Sequence, residues 1–388
     1  MNIRHNLQHN LWQPLLLCLS LLLFSCSTEP PSADELYKEE ASGVALVLNK
    51  FYYDITLPNG NHIYFNGINQ EDGSLTGLTD DVNEIRNNCG HLTGTAFFIR
   101  KDGTLLTNRH VARPTIDEAQ VKQSLNAIVR YIQALYNSKM EEMQEQYASL
   151  EQEKQSCFTT DLWGDDNYDY ERANQIAQKQ QELSNEYNEL EEARNNLAYI
   201  NVQSIRITPV CEIGVAYNDS YVNNEADFLN TNPCRVVRVE QDPSTDLAML
   251  QLKSGVTPSK AHIFSLNGSD SDHSFGKRLS NIFSSNSKKD DGKLKIDQQL
   301  YMIGYNAGFD LANTRRGIKA QMTSGRITQL PDGDRLLYSI PTVQGSSGSP
   351  VIDENGNLVG VNFAKLSISD NFNFGIPLEK VRRFAGAD

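Results

Sequence analysis

Two stretches with the texture of short β-strands flank one long stretch with the texture of helix. From Val44 to Leu106, apolar runs such as Val44-Ala45-Leu46-Val47-Leu48 and Phe51-Tyr52-Tyr53 are cut by turn signals at Asn59-Gly60 and Asp102-Gly103. The same texture returns from about Ile205 to Ile376, with many short apolar runs broken by Gly, Asn and Asp. Frequent short strands without intervening helices predict an all-β sandwich or barrel. The segment 113–200 is different. Thr115 and Glu118 form a capping-box signature just past Pro114, which predicts a helix start there. Apolar positions recur at Val121, Leu125, Ile128, Ile132 and Leu135, then, after a one-residue skip, at Tyr136, Met140, Met143, Tyr147 and Leu150. This 4-3-4-3 spacing is a heptad seam. A break from Cys157 to Tyr170, rich in Asp, Gly and aromatics, precedes a second seam through Ala173, Ile176, Leu183, Tyr187, Leu190 and Leu197. Two long helices that leave and return to one β-domain predict an antiparallel, coiled-coil-like hairpin, projecting roughly 45–55 Å at about 1.5 Å per residue. Such an arm is either a solvated spacer or a docking element for a protein partner or an oligomer contact.

The N-terminus changes the picture of where the chain resides. Arg4, His5 and His9 precede an apolar run, Leu15 to Phe24, that is about half the roughly 20 residues a spanning helix needs and reads as a signal peptide. The run ends in Leu23-Phe24-Ser25-Cys26, which resembles the lipobox of bacterial lipoproteins and implies lipidation at Cys26. Acyl chains contribute about 0.8 kcal/mol per buried methylene, so several on one cysteine anchor a protein stably. The following Ser-Thr-Glu-Pro-Pro-Ser-Ala-Asp-Glu reads as a polar tether. The expected organisation is a signal peptide over 1–25, a tether over 26–42, the first part of a β-domain over 43–112, the helical insertion over 113–200 and the remainder of the β-domain over 201–388. The location is then the cell envelope, periplasmic or surface-exposed.

Length and charge narrow little more. The 388 residues allow one large domain or two ordinary ones, and a formal net charge of -14 argues against nucleic acid as a partner. Outside the signal and Cys26 four cysteines remain: Cys89, Cys157, Cys211 and Cys234. An even number in an oxidising compartment permits disulfides; of three possible pairings, Cys211 with Cys234 is favoured because both flank what reads as a long-looped β-hairpin. Their spacing fits no zinc pattern, and no metal or other cofactor is expected.

Three segments carry candidate chemistry. In Gln344-Gly345-Ser346-Ser347-Gly348-Ser349-Pro350 the glycines permit a tight turn, and the N–H groups of Gly345 and Ser347 are placed to form an oxyanion hole beside a nucleophilic Ser347. Gly94-Thr95-Ala96-Phe97-Phe98-Ile99 and Leu105-Leu106-Thr107-Asn108-Arg109-His110-Val111 read as two strands around a turn, with His110 at the end of the second as general base. His91 follows a polar stretch and reads as a loop residue. In Asp242-Pro243-Ser244-Thr245-Asp246-Leu247-Ala248-Met249-Leu250, Asp246 immediately precedes a buried-looking strand, where pairing with an imidazole offsets the cost of burying a carboxylate; Asp242 reads as an exposed turn residue.

Taken in order, GTAFFI with TNRHV, STDLAML, and QGSSGSPV followed by LVGVNFA resemble the trypsin/chymotrypsin superfamily, closest to the bacterial trypsin-like peptidases of the HtrA-type and glutamyl endopeptidase groups. Asn373-Phe374-Gly375-Ile376-Pro377 resembles the closing strand of HtrA-type domains, and Tyr301 to Gly308 and Thr323 to Ile327 the strands that approach the nucleophile. The resemblance covers both β-rich stretches and not the helical insertion. It implies a mostly β, chymotrypsin-like double six-stranded β-barrel with the helical hairpin inserted directly after the histidine, and a triad of His110, Asp246 and Ser347. Ser346 stands where the family often has Asp or Asn. No PDZ module is expected after Val381-Arg382-Arg383, and a polar loop, 268–292, could join the arm in covering the cleft.

The resemblance also implies a substrate pocket walled by residues just before Ser347 and after Val361. Pro341 stands where an acidic residue would select Lys or Arg, and Asn362 where glutamyl endopeptidases carry His. A pocket of Pro341, Thr342, Asn362 and Ala364 suits small or uncharged side chains. The expected function is a serine endopeptidase acting on polypeptides through an acyl-enzyme. The rival expectation is a catalytically silent lipoprotein of the same fold that binds or adheres through its arm.

Overall fold

The computed structural model describes residues 30–198, 200–242, 244–267, 293–365 and 373–386. The signal peptide, Cys26 and the loop 268–292 lie outside the described residues. Seven strands make the first sheet: β1 (Val44–Thr56), β2 (His62–Phe65), β3 (Gly90–Phe98), β4 (Thr104–Thr107), β5 (Arg206–Tyr217), β6 (Pro233–Val239) and β7 (Ala248–Leu252). Six of them close a ring in the order β1-β3-β4-β7-β6-β5, sealed by antiparallel pairing of β5 onto β1 from Ala45↔Tyr217 to Thr56↔Arg206, and β2 extends the outer end of β1. A second closed barrel contains β8 (Gln299–Gly304), β9 (Gln321–Gln329), β10 (Leu336–Tyr338), β11 (Pro350–Asp353), β12 (Leu358–Lys365) and β13 (Asn373–Pro377), in the order β8-β9-β10-β13-β12-β11. The double six-stranded barrel expected from the sequence is present.

The unbroken apolar run of β1 has a simple cause. Ala45 and Val47 enter the first barrel's interior beside Ala96, Phe98, Leu105 and Leu250, while Val44 and Leu46 face the seam between barrels with Phe97, Ile303 and Tyr305. A strand buried on both faces loses the polar alternation of a half-exposed one. The same seam takes Ile352 of β11, the strand that follows the candidate serine, so the core and the site share one wall.

The segment read as a tether is not wholly one. Ala33–Glu40 forms helix α1, opened by a capping box between Ser32 and Glu35, and it buries Leu36 and Glu40 against the body. The four apolar or aromatic side chains Leu36, Tyr37, Ala41 and Val44 give this short segment enough surface to dock, and Tyr37 donates to the Ala320 carbonyl. Glu40 is 3 % exposed and its Oε2 has no hydrogen-bond partner. Burial first, then the nearby charges of Glu39 and Asp353, push this carboxyl up to about 8. A carboxyl whose folded pKa exceeds its unfolded value of 4.5 contributes stability that is complete below about pH 4.5 and is lost as pH rises through about 8. Glu40→Gln is therefore expected to melt with the parent at pH 4.5 and roughly 5 °C above it at pH 9; identical melting curves at both pH values would show that Glu40 is not held neutral by the fold.

The insertion is the expected antiparallel pair, with differences at both ends. A one-turn helix, α2 (Arg109–Ala112), comes first; α3 (Glu118–Gln155) and α4 (Tyr170–Ala198) then run side by side. Their direction follows from cross-links that descend one helix as they climb the other: Asn137 with Arg194, Gln144 with Tyr187, Glu151 with Gln180, Glu153 with Arg172. The cap of α3 is Asp117, whose carboxylate accepts from the N–H groups of Ala119 and Gln120, rather than Thr115. Asp117 binds two of the orphan first-turn donors, which a Thr three positions before Glu118 cannot reach once the helix starts at Glu118. Val121 and Leu125 at the root pack with Tyr53, Ile55, Phe65 and Val202 and fuse the arm to the first barrel. Met140, Met143, Ala173 and Ile176 are buried along the seam, but Leu135 and Tyr147 are 50 % and 43 % exposed, so the heptad pattern is only partly used. At the tip, the expected break is a small β-hairpin pairing Phe158–Thr160 with Asp166–Tyr168, which leaves Leu162 and Trp163 in solvent.

The cysteine pairing is corrected: Cys89, Cys157, Cys211 and Cys234 are all free thiols. Cys234 lies opposite Ile213 in the β5–β6 ladder, two places from Cys211. Diagonal neighbours in an antiparallel ladder are about 7–8 Å apart at Cα, beyond the roughly 4.4–6.8 Å a disulfide spans. Burial instead pushes the Cys234 thiol up to about 12.

Candidate functional site

His110 sits on α2 rather than at the end of β4, because Asn108 breaks the strand and the chain turns once before Arg113. Two buried asparagines fix that turn. Asn49, in β1, donates through Nδ2 to the carbonyls of Val111 (2.8 Å) and Ala112 (3.2 Å), and Asn108 donates through Nδ2 to the Asp246 carbonyl (2.8 Å). Asn49 is fully buried, so these bonds replace the solvent that would otherwise satisfy the carbonyls at the end of α2.

Asp246 meets His110 twice. Its Oδ2 lies 2.6 Å from the ring Nδ1, and its Oδ1 accepts from the His110 backbone N–H at 3.0 Å. This contact crosses the whole arm in sequence and is made because β7 pairs with β4, Ala248 opposite Thr107, which carries the residues just before β7 to the residues just after β4. The Asp246 side chain is 17 % exposed and that of His110 38 %, so the carboxylate is largely screened from water and the ring is open on one edge. The competing residues part from the pair as expected. Asp242 is exposed and accepts from Ser244, bonds that lower its pKa; His91 lies in β3 opposite Lys50 rather than in the expected loop, and is bonded through Nε2 to Glu225 (2.8 Å).

Ser347 reaches the same place from the second barrel. Its carbonyl accepts from the Thr95 N–H at 2.8 Å, so its turn lies against β3, the strand beside the one that leads to His110. Gly348 has φ +85°, and a Cβ there would stand 2.1 Å from the Thr95 carbonyl oxygen and 2.5 Å from Thr107 Oγ1. The two barrels approach so closely here that only glycine fits. Ser347 is half-buried, and its Oγ makes no hydrogen bond to the His110 ring or to any other group among the described residues. Nor does any protein group among them accept from the N–H of Gly345 or of Ser347. Two free amides beside a hydroxyl suit an oxyanion that forms only during reaction.

The four residues expected to wall a substrate pocket divide into two groups. Pro341 is exposed, and Ala364 lies in β12 opposite Phe374. Thr342 and Asn362 are 5 % and 2 % exposed and spend their polar atoms internally. Thr342 Oγ1 donates to Asn373 Oδ1 (2.7 Å), Asn362 Nδ2 donates to the Ser346 carbonyl (3.0 Å), and Asn362 Oδ1 accepts from the Tyr338 hydroxyl (2.7 Å). Sequence reading missed Asn49, Thr95 and Asn108 altogether. The signal was available: Asn49 and Thr95 are polar residues in otherwise apolar strands and Asn108 follows one directly, and a buried polar group must find a partner.

Residues 212–361 match the family model described as trypsin-like peptidase domain. Among solved structures, the chain is similar to a serine endoprotease from Yersinia pestis at 13 % identity and a TM-score of 0.40, covering 92 % of this chain and 66 % of that one. It is also similar to Rv3671c from M. tuberculosis H37Rv in an inactive form, at 13 % identity and a TM-score of 0.35, covering 92 % of this chain and 94 % of that one. The chain thus spans just under two thirds of the length of the Yersinia protein. No curated protein matches it.

Proposed function

We propose that this chain, whose residues 212–361 match a trypsin-like peptidase domain, is an envelope-anchored serine endopeptidase in which Ser347 is the nucleophile, His110 the general base and Asp246 the residue that orients it. The observation that carries the reading is the His110 Nδ1 to Asp246 Oδ2 contact, set beside a glycine-framed serine with two uncommitted backbone N–H groups. Asp246 holds the proton of His110 on Nδ1, which leaves Nε2 as an acceptor. Nε2 takes the Ser347 proton as Oγ attacks a peptide carbonyl, and the Gly345 and Ser347 amides receive the negative charge that develops on the carbonyl oxygen. The same imidazolium then protonates the leaving amine. Water, activated by His110, hydrolyses the acyl-enzyme and restores Ser347. Ser347 Oγ is not bonded to His110 in the free protein, and such bonds commonly tighten only when substrate is bound.

The test is a fluorophosphonate probe applied to cells expressing the full chain, with the adduct mapped by peptide mass. Labelling at Ser347 in the membrane fraction, moved to the soluble fraction by Cys26→Ala, is the expected result. A folded protein that takes no label sinks the peptidase reading in favour of the silent scaffold; label that stays in the membrane fraction with Cys26→Ala sinks the lipid anchor alone.

The pocket reading follows as a second expectation. Pro341, Thr342, Asn362 and Ala364 bring no charged group to the substrate side chain, so a peptide library is expected to be cut after small or uncharged residues, with Lys, Arg and Glu disfavoured about tenfold or more. Dominant cleavage after any of those three residues would remove it.

A further inference from the structure

We infer that Thr95 and Asn362 are positioning residues that clamp the oxyanion turn from opposite barrels, so that the hole is built into the folded chain. The inference deepens the peptidase reading and rests on it. Val343 to Ser346 form a β-turn, closed by the Ser346 N–H to the Val343 carbonyl at 3.0 Å, with Gly345 in its third position at φ +94°. A positive φ at that position is the mark of the type II turn. The type I turn keeps the same closing bond but rotates the central Gln344–Gly345 peptide by about half a turn, which would carry the Gly345 N–H out of the hole. The closing bond alone therefore does not choose between a formed and an unformed hole.

The peptides that follow Gly345 are held by a buried set of donors. The carbonyl oxygens of Gly345, Ser346 and Ser347 are each taken: Gly345 by Thr95 Oγ1 (3.0 Å), Ser346 by Asn362 Nδ2 (3.0 Å), and Ser347 by the Thr95 N–H (2.8 Å). The Thr95 hydroxyl accepts from the Tyr305 N–H (3.0 Å), which fixes the hydroxyl proton on the Gly345 carbonyl. The Asn362 amide is oriented in turn by the Tyr338 hydroxyl on its Oδ1, and it also donates to Ser346 Oγ (3.2 Å), which donates to the Val343 carbonyl (2.7 Å). Thr95, Ser346 and Asn362 are 0 %, 1 % and 2 % exposed, so no water competes for these bonds. The Ser346 carbonyl shares its peptide with the Ser347 N–H, so the Asn362 bond aims that N–H, and Thr95, bonded to the carbonyls of Gly345 and Ser347, holds the peptides on either side of it. A Cβ on Gly345 would stand 2.3 Å from the Gly308 nitrogen, so the turn has no slack on its remaining side.

The test compares Thr95→Val, which keeps the shape and removes the hydroxyl, with Thr95→Ser, which keeps the hydroxyl. Hydrolysis of a p-nitrophenyl ester and the rate of fluorophosphonate labelling are the readouts, on full-length proteins whose cooperative melting has been checked. Thr95→Val is expected to lose kcat roughly 10- to 100-fold, less than the 10²–10³ of deleting an oxyanion donor outright, with KM held within about twofold. Thr95→Ser is expected to recover most of that loss, and Asn362→Ala to show the same selective fall in kcat from the other side. Parental kcat in a folded Thr95→Val or Asn362→Ala variant, a loss confined to KM, or a Thr95→Ser variant as slow as Thr95→Val overturns the clamp. Should Thr95→Val fail to melt cooperatively, Thr95→Ala against Thr95→Ser makes the same comparison. An unlabelled, inactive parent is a different outcome, and it sinks the peptidase reading itself.

Discussion

Ser347→Ala is expected to lower peptide hydrolysis about 10⁶-fold and to erase fluorophosphonate labelling, without changing the melting temperature by more than about 2 °C. The two halves of this expectation come from different parts of the structure. Activity collapses because no acyl-enzyme can form, and what survives is the modest acceleration that an oxyanion hole and binding give on their own. Stability persists because Ser347 Oγ has no hydrogen bond among the described residues, while the bonds that hold its turn run through backbone carbonyls that alanine retains. His110→Ala on top of Ser347→Ala is expected to cost little more, since groups that act as one unit are not additive. The check is kcat on a fluorogenic protein substrate for the parent, both single variants and the double variant, alongside thermal melts. A Ser347→Ala protein within tenfold of the parent would mean that another group attacks, and the assignment of His110 and Asp246 would fall with it.

Much of this architecture was legible because its determinants are local. Runs such as Val44 to Leu48 and Leu247 to Leu250 specify buried strands by composition, and the seams from Val121 to Leu197 specify paired helices by spacing. The histidine, aspartate and serine segments were singled out by their residue types and by the resemblance; the structure brings His110 and Asp246 together, with His110 on α2 rather than at the strand end expected. Other features depend on partners far away in the chain. Helix α1 docks because the second barrel supplies Ala320 and the Asp353 to Gly356 turn, which nothing between Ser27 and Glu40 announces. The Cys211 and Cys234 expectation failed on register, since β5 and β6 pair two residues away from the place that would bring the thiols together. The position of Asn362 after Val361 implies a pocket wall, but not the bonds its amide makes to the Tyr338 hydroxyl and the Ser346 carbonyl, which β10 and the serine turn contribute. Asn49 and Thr95 stand out in the sequence only as polar residues in apolar strands; what they hold is set when the barrels close and bring α2 and the serine turn against them.

Asp246→Asn is expected to reduce kcat about 10⁴-fold while leaving the fold and KM nearly intact, and the reason lies in which atoms face each carboxylate oxygen. Oδ1 accepts from the His110 backbone N–H at 3.0 Å, a group that can only donate. In the asparagine variant that place must go to the amide oxygen, because an amide N–H₂ there would set two donors against each other. The N–H₂ is then forced onto the other side, 2.6 Å from Nδ1 in the parent. Facing a donor, Nδ1 must become an acceptor, so the imidazole proton moves to Nε2. An Nε2 that already carries a proton cannot take one from Ser347, and the nucleophile loses its base although every side chain remains in place. Nitrogen NMR of His110 reads the step directly: protonated Nδ1 is expected in the parent near neutral pH and protonated Nε2 in Asp246→Asn. If the variant kept the parental tautomer, or if the tautomer changed and kcat stayed within tenfold, Asp246 would be a structural partner of α2 and the chemistry would need a different orienting group.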